Sequence, residues 1–133
     1  MTFCLGVKTA DGLIGLADRR ITSGSEVSSE KKLSIHQVHN HSMFIMTAGL
    51  RSVRDKALTY FEEVLENEDS GFDKLYQAVN SFGNKLKKVR EEDEAILQKA
   101  GLSFNLSAIV GGQLEQDKEH KLFLLYPEGN WIE

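Results

Sequence analysis

The chain has 133 residues, with 16 Lys and Arg against 20 Asp and Glu and a formal net charge of −4 when its histidines are neutral. At 14.9 kDa, with 41% hydrophobic and 27% charged residues, it has the composition of one ordinary globular domain, which excludes disorder, collagen and coiled coil for the chain as a whole. No apolar run reaches the roughly 18 residues of a bilayer span, the single cysteine, Cys4, has no disulfide partner, and the mixed, mildly acidic charge gives no nucleic-acid footprint. A cytoplasmic protein with neither membrane nor nucleic acid as partner is expected.

From Thr2 to Lys8, the apolar residues Phe3, Leu5 and Val7 alternate with Thr2, Cys4, Gly6 and Lys8, the period of a strand buried on one face. Asp11-Gly12 is a hairpin turn signal and Leu13 to Ala17 reads as the returning strand. Ile21 to Ser29, rich in Ser and Thr, reads as a loop or an irregular edge segment. Leu33 to Val38 and Ser42 to Thr47 flank a turn at His39-Asn40-His41 and predict a second hairpin, with Leu33 and Ile35 facing the core. After Ala48-Gly49 the period becomes helical. Val53, Ala57, Leu58, Phe61, Val64 and Leu65 form one stripe, and Leu75, Ala78, Val79, Phe82, Leu86 and Val89 form another beyond a break at residues 66–71. Alternation returns from Leu102 to Gly111, and Lys121 to Tyr126 is a further strand. The predicted order is β-β-β-β-α-α-β-β, one domain over residues 1–133. Pro127-Glu128-Gly129-Asn130 is a turn and Trp131-Ile132-Glu133 only opens the next strand, so the residues themselves predict the first half of a sheet-rich fold.

The position of Thr2 carries the sharpest chemistry. If Met1 is removed, Thr2 holds a hydroxyl nucleophile and, in its free α-amine with a reference pKa of about 8, a base that can take the hydroxyl proton. His36, His39 and His41 lie close in sequence, but strand and turn geometry separates them and no acidic ligand completes a metal set, so solvated turn histidines are expected. Cys4 reads as a small core residue, and Gly111-Gly112, without a phosphate-binding Lys-Ser/Thr, as a turn.

A strand starting at Thr2, a Gly-containing hairpin, Asp18-Arg19-Arg20, Lys32 before apolar Leu33, Ala48-Gly49 ahead of a helix, Ile109-Val110-Gly111-Gly112-Gln113 and Leu125-Tyr126-Pro127-Glu128-Gly129-Asn130 follow one another in this order. The series resembles the N-terminal portion of a proteasome-type β subunit, and most nearly the bacterial Anbu homologues, over essentially the whole chain. The resemblance implies an α+β N-terminal-nucleophile hydrolase fold, a four-layer αββα sandwich of antiparallel sheets cut after about its first half. It also implies a threonine peptidase acting on peptide or unfolded protein, without metal or organic cofactor, in a homo-oligomer. Matched to the family pattern, Thr2 is the nucleophile, and Lys32 is the lysine that lowers its proton affinity, with the adjacent Lys31 as its rival. Asp18 pairs with that lysine, Arg20 braces the cluster, and the Gly49 backbone N–H is the oxyanion donor. Thr22 and Ala48 fall to substrate binding. A form that retains Met1, and with it an amide-capped Thr2, is expected to be inactive; the alternative is a catalytically silent assembly subunit.

Overall fold

The computed structural model describes residues 2–23, 26–29, 32–38, 41–67 and 71–133, and of residues 20–23, 26–29, 38 and 41 it describes the backbone alone. In chain order the elements are β1 (Cys4–Lys8), β2 (Leu13–Ala17), β3 (Arg20–Ser23), β4 (Glu26–Ser29), β5 (Leu33–Val38), β6 (His41–Gly49), α1 (Arg51–Glu66), α2 (Leu75–Lys99), β7 (Leu106–Gln113), β8 (Lys121–Leu125) and β9 (Trp131–Ile132). Strands β5 to β9 form one antiparallel sheet in the order β5-β6-β7-β8-β9, while β1-β2 and β3-β4 are separate two-stranded pairs. The fold is α+β and built on antiparallel sheets, as expected.

The two predicted helical stripes are the buried faces of α1 and α2. Val53, Ala57 and Phe61 from α1 and Leu75, Val79, Phe82, Leu86 and Val89 from α2 share one core with Met43, Ile45, Ala108, Val110, Phe123 and Leu125 of the five-stranded sheet. Phe61 meets the ring of Phe82 edge to face, with centroids 5.5 Å apart, a favoured aromatic geometry. The N-terminus of α2 is tied to the sheet through Asp117, whose Oδ2 accepts both the Leu75 and the Leu114 N–H at 2.9 Å.

The β1-β2 hairpin lies on the other face of the sheet. Its alternation is as predicted, but its sense is reversed: Phe3, Leu5 and Val7 point outward and are exposed, while Cys4 and Gly6 point inward. The reason is steric. A Cβ on Gly15 would stand 2.9 Å from the Phe44 ring, one on Gly6 would touch Ile109 and Leu122, and one on Gly111 would run into Phe44 from below. Close approach of the two layers therefore requires the small residues inside and sends the large ones out.

Four more expectations are corrected. Residues 20–23 and 26–29 pair as strands in antiparallel register, Arg20 opposite Ser29, in place of the loop or irregular edge segment expected over Ile21 to Ser29. The strand expected from Leu102 starts at Leu106, with the Leu50 N–H to Asn105 carbonyl bond at 2.9 Å carrying the β6-β7 ladder one step past Gly49 opposite Leu106; Gly111 and Gly112 lie within that strand and are not a turn. On β5, Ile35 is 63% exposed. The helix-facing residue is instead His36, whose ring meets Phe61 and whose register partner is the buried Met43. The turn at residues 39–40 and the rival Lys31 lie outside the described residues.

Candidate active site

The last step of the β1-β2 ladder fixes the geometry at the start of the chain. Beyond Cys4 opposite Ala17, the Asp18 N–H donates to the Phe3 carbonyl at 3.0 Å, and the Phe3 N–H returns a bond to Asp18 Oδ1 at 3.2 Å. Phe3 is thus held by both the backbone and the side chain of Asp18, and Thr2 is placed beside that carboxylate.

Lys32 closes the group. Its Nζ donates to Thr2 Oγ1 at 3.1 Å and to Asp18 Oδ1 at 2.9 Å, and the residue is buried, 8% exposed. A lysine with its charge this far from water requires a counter-charge, and Asp18 supplies one at contact distance. The hydrogen bond from Lys32, with the Phe3 N–H second, holds the Asp18 carboxyl below the usual carboxylate range. The Lys32 cation beside the hydroxyl favours loss of the hydroxyl proton, and Asp18 serves by holding that cation in place.

Strand β6 packs against the same cluster. The Thr47 N–H donates to the Lys32 carbonyl at 3.4 Å, and the Cys4 thiol approaches the Thr47 carbonyl at 3.6 Å. Burial pushes the Cys4 thiol up, Asp18 pushes it further, and Lys32 opposes them, so the thiol is held in its protonated, donating form. Cys4 is only partly buried and spans two strands, a contact its spacing did not announce. Two residues beyond Thr47, about 7 Å along an extended strand, lies Gly49. Its φ of +140° belongs to glycine, and a Cβ there would strike the Asn105 carbonyl. Gly49 is paired opposite Leu106, and the partly buried Ala48 opposite Ser107.

Of the residues singled out in the sequence, the structure joins Thr2, Asp18 and Lys32 through direct contacts and sets Ala48 and Gly49 on the strand alongside. Arg20 and Thr22 lie on β3, and their side chains are outside the described residues. Among the described residues, no three metal-ligating side chains gather, and no helix is long and apolar enough to cross a membrane.

The family model for the proteasome subunit matches residues 2–133, and the chain belongs to that family. No curated protein matches it. Among solved structures it is similar to an Anbu mutant from Hyphomicrobium sp. strain MC1, at 26% identity and a TM-score of 0.84, covering 99% of this chain and 55% of that one. It is also similar to the Anbu helical assembly from Pseudomonas aeruginosa, with 21% identity, a TM-score of 0.86 and coverage of 99% and 56%. Anbu from Yersinia bercovieri gives 21%, 0.84, and 99% and 55%. The chain therefore spans about half the length of the structures it matches.

Proposed function

We propose that the chain is the N-terminal portion of a threonine peptidase subunit of a proteasome-like assembly, with Thr2, exposed by removal of Met1, as its nucleophile. The observation that carries this reading is the contact series Thr2 Oγ1, Lys32 Nζ and Asp18 Oδ1 at 3.1 and 2.9 Å, inside a proteasome-family fold.

In the reaction, the free amine of Thr2 takes the hydroxyl proton, directly or through water, and Oγ1 attacks the peptide carbonyl carbon. Lys32 stabilises the developing negative charge on Oγ1 and Asp18 keeps the ammonium in place. Charge on the carbonyl oxygen is met by the Gly49 N–H. The C–N bond breaks as the leaving amine takes up the proton, and water then hydrolyses the ester on Thr2. Arg20 braces the Asp18–Lys32 pair, Thr22 and Ala48 flank an extended substrate, and no cofactor is required. The assembly is proposed to be homo-oligomeric and cytoplasmic, taking peptides or unfolded protein.

Intact mass and peptide turnover, measured on the same full-length preparation, test this. Molecules that begin at Thr2 cleave peptides, those that retain Met1 do not, and Thr2→Ala abolishes turnover. Equal rates with and without Met1 would overturn the terminal-amine mechanism, and a processed, assembled protein without turnover would establish a silent subunit.

A further inference from the structure

Away from the Thr2 cluster, the edge strand β5 meets α1 at a seam that holds one titratable ring. His36 packs edge-on against Phe61, with centroids 6.1 Å apart at 87°, and Phe61 is itself fully buried between Phe72 and Phe82. The Nε2 of His36 is shut off from solvent and, among the described residues, has no hydrogen-bond partner, although an imidazole nitrogen is a strong donor or acceptor in every protonation state. Beside it opens a groove of about 460 Å³, lined by Leu33, Ser34, Arg54, Glu62, Leu65 and Glu66 among others.

We propose that His36 is an acid-sensitive latch between β5 and α1, closed while the imidazole is neutral and released when it takes a proton. The charged groups that face it from α1 are Arg54, Glu62 and Glu66. On β6 its partner is the apolar Met43, and on its own segment the nearest described charge is Lys32. A proton on the imidazole puts a full charge on a ring whose Nε2 is shut off from solvent. Burial opposes that charge more than Glu62 favours it, so the ring titrates below its ordinary range. The folded value lies below the unfolded one, so its contribution to stability is complete above about pH 6.5 and is lost as pH falls through the lowered value. The favourable route for the charged ring is hydration through the groove, which parts β5 from α1.

Strand β5 starts next to Lys32 and, among the described residues, is the edge of the five-stranded sheet, held laterally by β6. Loosening it moves the lysine that contacts Thr2. The consequence for peptide cleavage rests on the proposed function; the latch itself does not, so the two fail separately.

The test is the pH dependence of thermal unfolding and of backbone hydrogen exchange in the whole chain. Between pH 7.5 and 5.5 the wild-type melting temperature falls, by about 5 °C for each tenfold change in the unfolding constant at this chain length. Intrinsic-rate-corrected protection falls in residues 33–38 ahead of residues 106–113. His36→Phe and His36→Gln, neither of which titrates at this position, lose most of that drop, whereas the other histidines are present in all three proteins. Should His36→Phe not fold, His36→Gln carries the comparison. A wild type with no drop, or variants that keep the wild-type drop, would overturn the proposal.

Discussion

Asp18 is the residue on which the site turns, because it is bonded at once to the backbone that carries Thr2 and to the lysine that contacts the Thr2 hydroxyl. Its carboxyl is held below the usual range, first by Lys32 and then by the Phe3 N–H. The folded value is lower than the unfolded one, so the stability it contributes is present above the ordinary carboxylate range and fades only as pH falls through the lowered value. Asp18 therefore stays ionised across the pH range of the His36 test and does not contribute to an acid loss there. Asp18→Asn in a full-length, processed protein removes the carboxylate from the buried lysine and is expected to lower turnover by at least about tenfold with KM little changed, since it acts on the nucleophile rather than on substrate contacts. An unchanged kcat would remove Asp18 from the mechanism. Lys32→Ala is expected to cost on the order of 10²-fold or more, while Lys31→Ala changes little. The reverse result would transfer the lysine role to Lys31.

At the scale of elements, the hairpin β1-β2 is clamped on the sheet by one ring between glycines. Phe44 sits against the Cα positions of both Gly15 and Gly111, so a side chain at either place overfills the layer. Gly111→Val is expected to destabilise by about 1–3 kcal/mol, and Phe44→Leu to restore part of that in the double variant. A denaturant double-mutant cycle measures the coupling, and strictly additive losses would contradict the clamp. The same glycines explain what the sequence withheld. Alternation at Phe3, Leu5 and Val7 gives a strand's period, but not which face is inside; here the partner layer decides, through Gly6 and Gly15. The pairing of 20–23 with 26–29 was hidden because Ser, Thr and Gly compose loops as readily as polar edge strands. The helical stripes were legible because their apolar faces are both long and buried. Thr2, Asp18 and Lys32 were legible from the order of motifs, whereas the Cys4 contact to Thr47 spans 43 residues and leaves no local signal.

For the whole molecule, the layers are helices, a five-stranded sheet and a hairpin whose outer face is apolar. Leu5 lies opposite Leu16 and Val7 opposite Ile14, and Phe3, Leu5, Ile14 and Leu16 are 58, 44, 59 and 56% exposed. Singly exposed apolar residues are ordinary, but cross-strand pairs of them on one flat face are a contiguous patch of the kind that marks association. The 133-residue chain is expected to self-associate through this face, and light scattering should give a mass above 14.9 kDa. Leu5→Lys combined with Leu16→Lys places charges on the outer face without touching the inward residues Cys4, Gly6 and Gly15, so circular dichroism should be unchanged while the mass falls. A monodisperse wild-type monomer at 14.9 kDa would show that the exposed pairs are not an association surface for this chain, and a double variant that stays associated would move the contact to another face.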